Sequence, residues 1–215
     1  VLRAASRLPV SADTSFRPAY RNPMWPWGHL AVAYLVYVVY TRRDPTRRQT
    51  AAPLTALAVG SQFPDLIDKP LAWTFGILPS GRSLAHSLFT LFILAVVLHQ
   101  LAVRYRRTDL SEAFTIGAFA HTLTDMSPTA VAGLLGGDLT QFRWLRFLVW
   151  PLQPPPPYAN DTSFVEQFAS LSVEPYVLFQ FGLFGLAVAV WIAHGVPGLR
   201  SVTRRSKAVV AAFSD

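Results

Sequence analysis

His29, Asp65, Asp68, Arg82, His86, Ser87, His121 and Asp125 are the residues of this chain whose types and spacing could do chemistry. Imidazole nitrogens and carboxylate oxygens together suit zinc, manganese or iron, whereas oxygen-only sets suit magnesium or calcium. His121 and Asp125 are four residues apart and share one face of a helix. Asp65 and Asp68 are three apart and share a face where that turn is helical; Arg82 and His86 are again four apart. The potential ligands His29, Asp65, Asp68, His86, His121 and Asp125 outnumber the four of a closed zinc site. One ion with an open position, or two ions, would therefore fit.

Each residue also has a plain structural reading. A histidine near a helix start, such as His29, often caps or lies at an interface. Asp65 and Asp68 could cap a short helix or pair with Lys69 and Arg82, and His86 and Ser87 could bond a neighbouring helix. The pair His121 and Asp125 is harder to explain in this way, because it lies in an apolar run. His99 and His194 fall at the opposite helix ends and read as structural, and Tyr34, Tyr37 and Tyr40 as packing and interface residues.

The elements that must position these groups follow from composition. The 215 residues are 52% hydrophobic and 14% charged, with no cysteine. Soluble domains carry about 25% charged residues, so the deficit points to a membrane protein. The net charge of +7 does not form one continuous basic face, which argues against nucleic acid as a partner. It falls in three clusters beside apolar runs: Arg42, Arg43, Arg47 and Arg48; Arg104, Arg106 and Arg107; Arg200, Arg204, Arg205 and Lys207. Such clusters mark the cytoplasmic side of membrane segments. The lack of cysteine excludes disulfides and thiolate ligands.

A spanning helix takes about 20 mostly apolar residues. Runs 26–41, 83–103, 111–137 (with a break near Pro128) and 174–195 approach or meet that length. Run 50–64 either stops short or continues through the acids into 71–79. The expected fold is all-α: a polytopic membrane helical bundle of about five transmembrane helices, with short re-entrant or interfacial segments, multi-pass in the cell membrane with the lipid bilayer as partner. Placing the three basic clusters inside puts the candidate residues at the outer, non-cytoplasmic helix ends. An ionisable group at mid-membrane costs roughly 2.5–3.5 kcal/mol, and such groups default to a functional reading with a partner. Segment 141–152 reads as an interfacial helix, 153–158 as a polyproline spacer, and 160–162 as a glycosylation sequon. Residues 1–23 are expected to be a disordered or mis-called extension before a start at Met24. Residues 24–199 form a single membrane-embedded domain, and 200–215 a basic cytoplasmic tail.

"WPWGHLAVAYL", "FPDLIDKPLAW", "GRSLAHSL" and "HTLTD" together resemble the LexA-regulated, membrane-bound metal-dependent hydrolase family, in its halophilic archaeal type. The resemblance covers about residues 24–195. It implies a histidine in the first helix, an acidic turn, an arginine with His-Ser, and a late His/Asp pair, carried here by His29, Asp65, Asp68, Arg82, His86, Ser87, His121 and Asp125. It also implies metal-dependent hydrolysis of a phosphoester or phospholipid-type substrate.

On this reading zinc or manganese, as one or two ions, sits on His29, Asp65, Asp68, His86, His121 and Asp125. Arg82 binds a phosphate, Asp68 acts as general base, and Ser87 is the third catalytic candidate. The alternative is a non-catalytic metal-binding membrane scaffold or transporter. The apolar inner halves, 90–98 and 183–193, count against a conduit.

Overall fold

The computed structural model describes residues 24–44, 47, 49–156, 163–169 and 171–199. Expectations for the N-terminal extension, Arg48, the sequon and the whole of the third basic cluster fall outside these residues. The described residues hold helices and no strand. They are α1 (Pro26–Arg42), α2 (Ala51–Gly60), α3 (Phe63–Lys69), α4 (Leu88–Arg104), α5 (Thr108–Thr124), α6 (Pro128–Leu135), α7 (Phe164–Ala169) and α8 (Pro175–Ala193). A single π turn, Pro70–Thr74, extends α3, and a 3₁₀ segment runs Leu139–Val149.

Local chemistry sets these boundaries. Proline stands in the first turn of α1, α3, α6 and α8, where its fixed φ and missing N–H cost nothing. Arg42 and Arg104 close α1 and α4, favourable at a negative helix end. Pro128 disfavours helical backbone at Ser127. Ser127 instead caps α6, accepting from the Ala130 N–H, and the chain breaks beside Asp125.

α5 is the central helix, packing on α1, α2 and α4, while α8 packs on α1. The α2–α5 crossing is built on two glycines. A Cβ on Gly60 would lie 2.2 Å from the Phe114 carbonyl oxygen, and one on Gly117 would lie 2.4 Å from that of Leu57. Small residues of this kind let helix backbones approach closely in membranes. Phe92 and Ile93 on α4, and Leu178 and Phe179 on α8, face outward, an apolar surface that calls for a non-aqueous cover.

The five-span expectation is only partly met. α8 is the one helix among the described residues long and apolar enough to cross a membrane by itself; α4 is apolar but shorter. α1, α4 and α5 have 17 residues each, about 25 Å against a hydrocarbon core of about 30 Å. Run 50–64 is not one span, because the helix breaks at Ser61 and Gln62 between α2 and α3. Run 83–103 starts helical only at Leu88. Arg82 and His86 therefore lie in a non-helical loop, and their spacing of four places them on no shared helix face. The expected interfacial helix at 141–152 is 3₁₀, and it packs Trp144 and Phe147 inward against Ala130.

Candidate metal centre

Three histidines meet at one end of the bundle, delivered by α1, the loop before α4, and α5. His29, His86 and His121 are each fully buried. The His29 and His121 rings stack at 3.7 Å between centroids, and His86 meets His121 edge-on at 5.1 Å. The basic residues Arg42 and Arg104 close α1 and α4 at the other end, away from His29 and His86. His194 also lies there, 3.2 Å from Arg42.

The hydrogen bonds of the rings fix which nitrogen faces inward. His121 Nδ1 lies 2.7 Å from the Ser61 carbonyl oxygen, which only accepts, so Nδ1 carries the proton. His86 Nδ1 lies 2.8 Å from Asp68 Oδ2 and donates in the same way. Thr124 gives its hydroxyl proton to the Ala120 and His121 carbonyls. It is thereby left to accept from His29 Nδ1 at 2.9 Å. In their neutral forms all three rings turn an Nε2 lone pair toward one another and toward carboxylates.

The inward atoms converge. His86 Nε2 and His121 Nε2 are 3.2 Å apart. Asp65 Oδ1 is 3.6 Å from each of them, and Asp125 Oδ2 is 3.4 Å from His86 Nε2. Donor atoms of Asp65, His86, His121 and Asp125 all lie within 4.8 Å of one another. Four ligands at about 2.0–2.1 Å from a tetrahedral centre stand about 3.3–3.4 Å apart, close to four of these separations. His29 Nε2 reaches Asp125 Oδ1 at 3.4 Å and extends the set on that side. Asp65 Oδ1 and His29 Nε2 are buried and accept no hydrogen bond, a costly state that a cation would relieve.

Asp68 stands behind this group. Its oxygens accept from the backbone N–H of Ser83, Ala85 and His86 at 2.8, 2.8 and 3.2 Å, as well as from the His86 ring. Those bonds occupy the carboxylate and shape the loop that presents His86. Arg82 Nε donates to Asp125 Oδ2 at 2.6 Å, and Lys69 Nζ to Asp65 Oδ2 at 2.6 Å. Three carboxylates thus face two cations, one negative charge in excess with the histidines neutral. Ser87 lies apart from the donors. It gives its hydroxyl to the Trp150 carbonyl at 2.6 Å and ties the 3₁₀ segment to the start of α4.

The crowded imidazoles and the acidic turn fall within a stretch that matches one family: the YdjM inner membrane protein family matches residues 24–137, just over half of the 215-residue chain. The chain belongs to the YdjM inner membrane protein family. Membrane localisation follows from that membership, and every candidate residue from His29 to Asp125 lies inside the matched region. The match does not extend to LexA regulation, hydrolysis or an archaeal type. No curated protein and no solved structure matches the chain.

Sequence reasoning passed over Ser61 and Thr124, whose oxygens set the tautomers of His121 and His29. Thr124 is three residues beyond His121, and Ser61 interrupts an apolar run; both signals were present. Lys69 takes the ion-pair role toward Asp65 that its place in the sequence offers.

Proposed function

We propose that this member of the YdjM family is a membrane-embedded, metal-dependent hydrolase of a phosphoester or phospholipid-type substrate, with its centre at the non-cytoplasmic face. The observation that supports it best is the pair His86 and His121. Two Nε2 acceptors 3.2 Å apart, beside Asp65 Oδ1, repel one another unless a cation lies between them. One shared proton would satisfy a single pair, whereas a divalent ion satisfies the whole set. Nitrogen and oxygen donors without sulfur fit zinc or manganese.

When bound, such an ion would bring the pKa of a water to about 7 and polarise a phosphoryl oxygen. His86, His121, Asp65 and Asp125 hold it on this reading, with His29 as a fifth donor or part of a second site. Asp68 orients His86 and fixes its tautomer rather than acting as ligand or base; its oxygens are engaged by the loop. Asp65 serves as a ligand through Oδ1, which faces the centre and accepts no hydrogen bond. Arg82, buried beside Asp125, supplies a permanent positive charge. A divalent ion turns the local excess from one negative charge to one positive, which suits an anionic substrate. Ser87 positions the 3₁₀ segment.

Complete burial of the three histidines favours a second reading, a metal-stabilised membrane scaffold without turnover. The two separate in one experiment. The protein is purified in detergent, its metal is measured by mass spectrometry, and phosphoester hydrolysis is assayed for wild type and Asp65→Ala. Bound metal with turnover lost on chelation and in Asp65→Ala supports the hydrolase. Bound metal with no turnover over a broad substrate panel supports the scaffold. A protein that binds no divalent ion refutes both.

A further inference from the structure

A cavity of about 130 Å³ opens beside Asp65, between the start of α1, α3 and α7. Its wall joins Asp65 and Lys69 to Trp25, Leu66, Phe164 and Phe168. Lys69 lines this cavity, and Asp65 separates it from the candidate metal centre. Its ammonium carries three N–H donors; one goes to Asp65 Oδ2 at 2.6 Å, and the group lies 5.4 Å from the Trp73 ring centre. Asp65 divides its carboxylate, with Oδ2 toward Lys69 on the cavity side and Oδ1 toward the histidines. The cavity has room for a headgroup but not for an acyl chain. Its rim does not return to polar surface: Leu66 is 61% exposed and Phe168 58% exposed, so apolar side chains continue outward from the mouth.

We infer that this cavity is the anion-binding entrance of the centre, in which Lys69 receives the phosphate of a phosphoester while Leu66 and Phe168 cover the first carbons of an attached alkyl chain. The inference rests on the metal-centre reading above and adds the specificity residue and the shape of the substrate. Lys69 is a compact point charge. An arriving phosphate competes with Asp65 Oδ2 for its donors and is drawn to the side of the centre where Asp65 Oδ1 projects. The ligand is a phosphate monoester or diester anion. Its source is a lipid headgroup or free phosphate, and the apolar rim favours the lipid.

Calorimetry on the full chain in a neutral maltoside detergent tests this, with hexyl phosphate and inorganic phosphate as probes and metal content measured in every sample. Wild type is expected to bind hexyl phosphate at least tenfold tighter than inorganic phosphate. Lys69→Gln is expected to weaken both at least tenfold with its metal retained, Lys69→Arg to restore much of the loss, and Phe168→Ala to remove the advantage of the alkyl chain alone. Metal-loaded Lys69→Gln that binds hexyl phosphate as wild type does overturns the role of Lys69. Equal binding of both probes by wild type overturns the lipid source. Should Lys69→Gln lose its metal, Phe168→Ala decides, and unchanged preference for the alkyl chain there overturns the inference. A wild type without metal that still shows the Lys69 dependence upholds the entrance and refutes the metal centre instead.

Discussion

His86 Nε2 and His121 Nε2 face each other at 3.2 Å, each with its Nδ1 committed to an oxygen behind it. Asp68 backs one ring and the Ser61 carbonyl backs the other. Metal-ligating histidines are oriented in this way by partners on the far nitrogen.

Metal removal is expected to destabilise the fold. An ion present at 100–1,000 times its dissociation constant contributes about 3–4 kcal/mol to the folded state. Thermal melts in detergent, with chelator and then with zinc or manganese restored, check this. A melting temperature indifferent to chelation, in protein shown to hold metal beforehand, contradicts it.

Asp65→Ala and Asp68→Asn are expected to differ in kind. The first deletes a donor and empties the centre at ordinary metal concentrations. The second leaves the inward donors in place and loosens the ring of His86, weakening metal affinity about 10–100-fold. Competition titration with a chelating dye measures both; equal losses would show that Asp68 is itself a ligand.

Gly60→Ala is expected to destabilise by about 1–3 kcal/mol, as overpacking does, because its Cβ would lie 2.2 Å from backbone rather than from a yielding side chain. Gly182→Ala on α8 has nothing within 4 Å of the added carbon and gains about 0.5–1 kcal/mol in helix preference. Chemical denaturation of both variants in the same detergent gives the comparison. A neutral Gly60→Ala would mean that the α2–α5 contact is looser than described.

Ser87→Ala removes a single hydrogen bond to the Trp150 carbonyl, a loss of about 0.5–1.5 kcal/mol. Metal content and turnover per folded molecule are expected to stay at the wild-type level. A specific loss of turnover, with stability and metal unchanged, would return Ser87 to the catalytic group.

By itself the sequence determined the membrane character, the helical class and most of the residues that meet, though not that Ser87 stands apart from them. Few charges over long apolar runs leave little else for the chain to be, and histidines and aspartates placed in such runs need partners wherever they lie. Their roles were decided only by the tertiary structure. Asp65 and Asp68 look equivalent in FPDLIDK, yet one turns to the centre and the other is taken up by three loop N–H groups and a ring. That loop, 75–87, was invisible to periodicity because its order comes from Asp68 rather than from helical spacing. Ser61 reaches His121 across 60 positions of sequence only because Gly60 and Gly117 let two helices close together. A hydrogen bond selects a tautomer through distance and angle, and neither exists until the helices have packed.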